Sequence, residues 1–338
     1  MLPPMPDAPP TIQPPIETNK IASPDDREHW WVRAALAAIT IGGIVAVLLM
    51  PGMVGEILTS LVDREYSRGL LHPAILATSA LLFVWERYWP VGGRKISGPA
   101  HLTDIGWWFF NAAFAVSVPI VAATLMYKAT DSVSAAVTEK PEPFDILGWL
   151  PWALRYVLAI LLVDFVRYVI HVIRHKVPLL WRFHATHHST EEMHQFSAYR
   201  MHPVDYTFAV AVASIPFCLF SVPVEGFVIY QVVMLALGRT HHAAVSWKWP
   251  WLNKILVSPE AHRIHHSTDE IHYDKNYGLT FSIWDRIFGT YVEPQSDDPT
   301  PVTGVPGLPS PEAKTYAEVP GVLLQQLLAP FRKFGKKE

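Results

Sequence analysis

Long apolar runs dominate the first half of the chain, and four of them lie at about residues 31–50, 70–89, 105–127 and 144–170. A helix needs roughly 20 apolar residues to cross a hydrocarbon core about 30 Å thick. Aromatic pairs near the ends of these runs, such as Trp30 with Trp31 and Trp107 with Trp108, are typical of the membrane–water interface. The pattern therefore predicts four transmembrane helices.

Two shorter apolar runs between residues 206 and 237 flank the break Ser221-Val222-Pro223. Each has about 14 residues and would be ~21 Å long as a helix, too short for a full crossing. A re-entrant hairpin fits better than two further spans, and it returns the chain to the side it left. The predicted fold is all-α: an integral membrane bundle of about four transmembrane helices plus a re-entrant helical hairpin.

The charges between the runs indicate an orientation. The segment between the third and fourth runs is net acidic, whereas basic residues follow the second and fourth runs, namely Arg87, Arg94, Lys95, Arg174, Lys176 and Arg182. Because short cytoplasmic loops are enriched in Lys and Arg, this asymmetry predicts a multi-pass protein with both termini in the cytoplasm. The polar segments after the fourth run would then form a cytoplasmic cap.

Both ends of the chain are rich in proline and differ from the apolar centre. Residues 1–29 are predicted to be a disordered tail, because such a composition cannot bury enough apolar surface to fold. Residues 30–294 would form the membrane domain. Residues 295–338 would form a second Pro-rich tail that ends in a basic amphipathic segment suited to an anionic leaflet, or is itself partly disordered.

Composition supports the membrane class and excludes others. The chain of 338 residues is 50% hydrophobic and only 17% charged, with a formal net charge of -3. The charge is too small for a nucleic-acid partner, and no basic stripe interleaved with aromatics is present in the sequence. The single cysteine, Cys218, excludes an intrachain disulfide and any cysteine-based metal site.

The chemistry is expected in the histidines, because most of the 16 lie between residues 171 and 272. His171 and His175 are spaced i, i+4 and so share one helix face, where they can chelate one metal ion. Two H-x-x-H-H runs follow, and on a helix the first histidine of each neighbours both later ones. Their members are His184, His187 and His188, and His262, His265 and His266.

The two triplets belong to a longer internal repeat. The stretch His184–His194 matches His262–His272, and Tyr199 and Tyr277 follow at equal distances. Two similar half-sites are implied. Because histidines at membrane depth are costly unless they are paired or coordinated, the repeat predicts a pseudo-symmetric pair of metal ions.

The number of histidines favours iron over zinc. Imidazole suits Zn, Cu, Fe and Ni, so the ligand type alone leaves the metal open. Zinc sites use about four ligands, or three plus water, whereas eight or nine imidazoles would give two ions four or five each. Imidazoles bring no negative charge, so nearby acids should compensate the ions, and the candidates are Asp164, Asp205, Asp269 and Asp274.

Three other protein classes are weighed against this prediction. A zinc protease would need His-Glu-x-x-His, a run that the sequence lacks. A membrane haem protein could use His171 and His242 but would not need two H-x-x-H-H triplets. A non-catalytic protein that stores metal, or uses zinc structurally, would have the same histidines and remains the alternative.

The ordered clusters H-x3-H, H-x2-H-H and H-x2-H-H, with words such as Trp181-Arg182-Phe183-His184 and Asn276-Tyr277-Gly278, resemble the fatty acid hydroxylase and sterol desaturase superfamily of membrane di-iron enzymes. The resemblance covers about residues 70–294. It implies that the eight clustered histidines are iron ligands. It adds His242 as a further ligand, His202 as a possible extra one, and His241 as a neighbour outside the ligand set.

The same resemblance implies the reaction. Two iron ions and O₂ would remove hydrogen from a carbon of a lipid or sterol-like substrate, giving an alcohol or an alkene, and zinc could replace iron in purified protein. The electrons would come from an external cytochrome, ferredoxin or reduced pterin, because the sequence shows no haem-domain, flavin or iron–sulfur motif.

Overall fold

The computed structural model describes residues 73–93, 96–111, 147–219, 233–234, 236–245, 247, 251–294, 300–308 and 311–332, and the single positions 38, 125, 128 and 132. Throughout these ranges the regular structure is helical, with isolated β-bridges and no strand. The α-helices are α1 (Pro73–Tyr88), α2 (Gly98–Phe110), α3 (Trp152–Lys176), α4 (Pro178–His188), α5 (Pro203–Leu219), α6 (Pro259–His265), α7 (Ile283–Phe288) and α8 (Val319–Leu328). The predicted all-α class is confirmed for this part of the chain.

Helix α3 is the longest described helix, with 25 residues, and it carries the first two clustered histidines. Its segment Leu154–Lys176 is long and apolar enough to cross a membrane, and no other helix among the described residues is. The predicted bounds of this span, 144–170, are corrected. The extended backbone of Pro151 delays the helix start, and the helix continues to Lys176.

The other predicted spans are described only in part. Helix α1 covers most of the second run, and α2 covers the start of the third. Helix α5 forms the first arm of the predicted hairpin and packs along α3. The first span, the end of the third and the centre of the hairpin lie outside the described residues, so four spans, the hairpin and the cytoplasmic orientation stay predictions.

The C-terminal residues 311–332 lie against the helical body rather than apart from it. Helix α8 packs on α2, where the Trp107 indole N–H donates to Gln326 Oε1 at 2.5 Å. The Gln326 amide donates in turn to the Pro311 carbonyl at 3.0 Å. The Ala313 N–H donates to Thr103 Oγ1 at 2.7 Å. This part of the predicted C-terminal tail is therefore joined to the domain by buried polar contacts.

A buried network of charges fixes the same region. The Arg200 guanidinium contacts Asp104 Oδ1 at 2.6 Å and Glu312 Oε1 at 2.8 Å. The imidazole of His194 lies 3.1 Å from the other oxygen of Asp104. Because charges out of contact with water are costly unless they are paired, these contacts specify how α2, the segment after α4 and the C-terminal segment meet.

Candidate metal centre

Nine histidines converge in two adjacent groups, and in each group the candidate ligand atoms all lie within 4.8 Å of one another. The five-histidine group consists of His171, His175, His184, His188 and His265. The four-histidine group consists of His187, His242, His262 and His266. Histidines that the sequence places up to about 95 positions apart thus form two compact sets of imidazoles.

Helical spacing explains how each triplet is divided. On α4, His184 and His188 share a face and belong to the five-histidine group, while His187 turns to the four-histidine group. In α6 and its C-cap residue the division is the opposite one. His262 and His266 belong to the four-histidine group, and His265 belongs to the five-histidine group. The internal repeat therefore corresponds to an approximate two-fold relation between the groups.

The remaining members come from helices on either side. His171 and His175 lie one turn apart on α3 and both belong to the five-histidine group. His242 ends the helical residues 236–242 and belongs to the four-histidine group. Helix α6 is set by Ser258, whose hydroxyl accepts from the Ala261 N–H at 3.1 Å, with a proline in the first turn.

Hydrogen bonds fix the tautomer of four of these imidazoles. Each uses Nδ1 to contact an oxygen that can only accept, so Nδ1 carries the hydrogen and Nε2 keeps a bare lone pair. The pairs are His171 with the Tyr277 carbonyl at 2.7 Å, His184 with Asp205 Oδ2 at 3.0 Å, His242 with the Gly238 carbonyl at 2.7 Å, and His265 with the Lys275 carbonyl at 2.8 Å. Such partners are the ones that orient histidine ligands in metal sites.

The Nε2 atoms crowd together in a way that fits a shared ion. The closest Nε2 pairs are His184 with His188 at 3.2 Å, His187 with His242 at 3.2 Å, His242 with His262 at 3.3 Å, and His262 with His266 at 3.2 Å. Ligand atoms held about 2.1 Å from one ion at tetrahedral or octahedral angles lie roughly 3.0–3.4 Å apart. The residues present therefore fit one metal ion in each group.

Burial keeps these imidazoles in the neutral form that binds metal. Loss of hydration lowers the pKa of His242 to about 3 and that of His265 to about 4. The pKa of His187 is also well below its usual range, because burial and then the nearby His242 oppose a positive charge. Nε2 of His171 and of His265 is buried without a hydrogen-bond partner in the described part of the chain. Unpaired buried nitrogens are costly, and coordination would satisfy them.

Asp205 lies beside the five-histidine group, as the sequence predicts. Its Oδ2 accepts from His184 and lies 3.1 Å from a guanidinium nitrogen of Arg174. Both side chains of this ion pair are buried. A negative charge is thus placed directly behind an imidazole and next to a fixed cation.

The other three predicted acids do not contact a histidine of either group through a hydrogen bond. Asp274 accepts from the Tyr277 hydroxyl at 2.5 Å and acts on His265 through its charge. Asp164 accepts from the Trp284 indole and from two backbone N–H groups of residues 280 and 281. Asp269 caps the short helix Glu270–His272. Asp164 and Asp269 therefore support the local fold.

His202 lies outside both groups, which corrects its place as a possible tenth ligand. Its Nδ1 accepts from the Val204 N–H at 3.2 Å, and its Nε2 lies 3.2 Å from the Leu327 carbonyl. Both ring nitrogens are thus occupied, Nδ1 by the first turn of α5 and Nε2 by the C-terminal segment. His241 is buried next to the four-histidine group, with its ring centroid 5.8 Å from that of His262, and it is not a member.

The backbone acceptors were not found by sequence reasoning. The carbonyls of Gly238, Lys275 and Tyr277 orient histidines, yet a carbonyl has no residue-type signature in a sequence. Only Tyr277 carried a signal, because it recurs with Tyr199 in the internal repeat. The Gly278 N–H and the Tyr277 N–H both donate to Asp285, at 2.7 and 2.8 Å, which fixes the loop that presents the Tyr277 carbonyl.

A cavity of about 110 Å³ borders both groups. Histidines of the five-histidine group and of the four-histidine group lie on its wall, and apolar side chains of α3 and α5 form much of the remainder. Its apolar lining includes Ile170, Ala209, Val210, Met234 and Leu279. The arrangement provides an apolar space that reaches two adjacent metal-binding groups.

The fatty acid hydroxylase family matches residues 156–290, which include all nine histidines of the two groups. An ornithine lipid hydroxylase of Rhizobium tropici is 30% identical over 267 residues, which is 78% of this chain and 75% of the relative. The human alkylglycerol monooxygenase is 35% identical over 142 residues, 42% of this chain and 31% of that protein. The mouse lathosterol oxidase is 26% identical over 177 residues, 51% of this chain and 56% of that protein.

These similarities show that the chain belongs to the fatty acid hydroxylase and sterol desaturase superfamily. The predicted resemblance is confirmed. The chain spans about three quarters of the bacterial hydroxylase but only about a third of the animal alkylglycerol monooxygenase. No solved protein structure matches the chain.

Proposed function

We propose that this protein is an O₂-dependent di-iron oxidoreductase that hydroxylates or desaturates a lipid or sterol-like substrate in the membrane. The observation that carries the proposal is the convergence of nine buried imidazoles in two groups beside one apolar cavity. The names of the relatives, which include lipid hydroxylases and a sterol oxidase, support the reaction class and the kind of substrate.

The histidines would hold the metal, five at one ion and four at the other, with His202 outside the ligand set. When bound, a pair of redox-active iron ions supplies the activation of O₂ that removal of hydrogen from an unactivated carbon requires. The chain itself holds the ligands neutral by burial, and Nδ1 contacts orient the Nε2 atoms of four of them, His171, His184, His242 and His265. Asp205 places a negative charge behind His184, which offsets part of the charge that a pair of cations brings.

The apolar helices would bring the substrate from the bilayer. Side chains on one side of α3 are exposed although they are apolar, including Leu154, Val157 and Leu161, as expected where lipid rather than water surrounds a helix. Basic residues follow in the last turn of the helix, next to the histidine groups. We place this end at the cytoplasmic face, where a cytochrome, ferredoxin or pterin could deliver electrons.

Lipid analysis of cells with and without the protein tests the proposal, with His265→Ala as a matched inactive variant. Growth under ¹⁸O₂ distinguishes the reactions, because a hydroxylated product gains labelled oxygen while a desaturated one loses two hydrogens. We expect one lipid class to change with the wild-type protein and not with the variant. An unchanged lipid profile from protein that holds its metal would contradict the proposal and favour a non-catalytic metal-binding protein.

A further inference from the structure

Tyr199 belongs to the internal repeat but is not a member of either histidine group. Tyr199 and Tyr277 occupy equivalent repeat positions, but their hydroxyls have different environments. The Tyr277 hydroxyl donates to Asp274 at 2.5 Å. The Tyr199 side chain lies on the cavity wall, and its hydroxyl is buried without a hydrogen-bond partner among the described residues.

The position of Tyr199 is firmly fixed. The residue is 4% exposed, and its carbonyl accepts from the Asn111 side-chain amide at 2.5 Å. Its ring centroid lies 6.3 Å from that of Trp108. Burial raises its pKa to about 12, so the phenol stays protonated and can donate. A buried hydroxyl without a partner destabilises the folded protein, and an acceptor that enters the cavity would supply that partner.

We propose that the Tyr199 hydroxyl donates a hydrogen bond to an acceptor oxygen of the substrate, an ester, amide or ether oxygen at the junction between head group and chain. This inference rests on the proposed function and adds to it where the oxidised carbon lies in the substrate. Histidines of both groups line the same cavity of about 110 Å³, so an oxygen held at Tyr199 places nearby carbons at the metal groups. The substrate would be oxidised within a few bonds of a polar group and not at the far end of an acyl chain.

The accessible surface of the cavity is mainly apolar, although arginines, tyrosines and histidines also line it. The guanidinium of Arg174, which is one of these polar groups, is paired with Asp205. Ligand sites of this kind combine a mainly apolar lining with a few polar groups that fix orientation. Tyr199 is therefore assigned as a positioning residue that decides which carbon is presented.

The test compares binding of two probes of similar chain length, methyl palmitate and octadecane, to the full chain in nanodiscs. A neutral hydrogen bond changes an equilibrium roughly 3- to 10-fold, so the wild-type protein should prefer the ester by that factor. Tyr199→Phe should reduce the ratio to about one without weakening the binding of octadecane. Tyr291→Phe is the control, because Tyr291 is partly buried and does not line the cavity.

An ester preference that persists in Tyr199→Phe would overturn the proposal, as would equal binding of both probes by the wild-type protein. Bound metal is measured in the same samples and should be the same in all three proteins. Wild-type protein without bound metal would contradict the proposed function but not the role of Tyr199, because the ratio of the two binding constants is measured without catalysis. With a converted lipid in hand, Tyr199→Phe should also spread the added oxygen over several carbons.

Discussion

At the scale of single residues, the division of the nine histidines predicts which substitution affects which ion. His187→Ala removes a member of the four-histidine group, and His265→Ala removes a member of the five-histidine group. Each variant should lose about one of two bound ions and all lipid oxidation, because each group loses a buried ligand. Elemental analysis of purified protein, with activity measured in membranes, checks this.

His202→Gln is the matched control, since His202 is buried but outside both groups. It should keep both ions, although it loses contacts to Val204 and the Leu327 carbonyl and should unfold at a lower temperature. Loss of metal from His202→Gln, or full metal content in His187→Ala, would contradict the assignment of the ligands to the two histidine groups.

Substitution of Asp205 tests whether its negative charge, next to the His184 imidazole, supports metal binding. Asp205→Asn weakens the acceptor at His184 and leaves Arg174 without its buried counter-charge. Loss of such supporting contacts lowers metal affinity by about 10–100-fold. Competition with a chelator of known affinity measures the change. Asp269→Asn, at a helix cap that makes no hydrogen bond to either histidine group, should leave the affinity at the wild-type value.

Spacing along the sequence predicted that these histidines converge, because helical geometry is local. Residues at i, i+3 and i+4 share a face whatever the rest of the fold does, so the clustering of His184 with His188 followed from the repeat. The division of each triplet between the two histidine groups could not be predicted, because it depends on how α4 and α6 face each other. His202 was included because a sequence does not show that both its nitrogens are occupied.

At the scale of elements, the loop after α6 supports the centre through its backbone. Gly278 lies where a Cβ would be 2.7 Å from the Phe281 carbonyl oxygen and 2.8 Å from an oxygen of Asp285. Gly278→Ala must shift this loop, which carries the Tyr277 carbonyl that His171 contacts. We expect a cost of about 1–3 kcal/mol in stability, measured by thermal unfolding, with reduced metal content.

Gly98→Ala is the control for that substitution. Gly98 begins α2, and a Cβ there meets no atom within 4 Å. Replacement should be neutral or should stabilise by up to about 1 kcal/mol, because alanine restricts the unfolded chain more than glycine. Equal changes in stability and metal content in the two variants would contradict the idea that close packing at Gly278 positions the loop.

Element boundaries show where sequence reasoning stops. Hydropathy placed the fourth span at 144–170, but the helix runs from Trp152 to Lys176. Apolar composition does not mark the start of a helix, whereas the backbone of Pro151 does, and charged residues of the last turn continue a helix beyond its apolar stretch. The helix therefore contains both His171 and His175, one turn apart, as their i, i+4 spacing predicts.

At the scale of the whole molecule, the C-terminal segment contributes to stability. Glu312→Gln removes one of the two carboxylates that contact the buried Arg200. We expect a loss of about 1–3 kcal/mol, seen as a lower unfolding temperature, with metal content unchanged. Glu318→Gln lies in the same segment but is exposed, so it should change the unfolding temperature much less. Equal effects would mean that the buried network does not hold the segment.

The place of this segment was not predictable from its composition. Prolines and a basic end suggested a tail, while the contacts that hold it come from the single side chains Glu312 and Gln326. The partner of Glu312, Arg200, lies 112 residues earlier, and the partner of Gln326, Trp107, lies 219 residues earlier. Long-range polar pairs of this kind leave no periodic pattern. The histidine repeat did, which is why the site was easier to predict than the packing around it.

We propose that two iron ions are held by imidazoles alone beside the apolar cavity. X-ray absorption at the iron edge, on protein purified in an active state and with iron counted per chain, measures both the iron content and the type of ligand. We expect about two iron ions per chain, each with four or five nitrogen ligands of imidazole type. Active protein without a transition metal, or iron bound mainly by carboxylate oxygens, would contradict it.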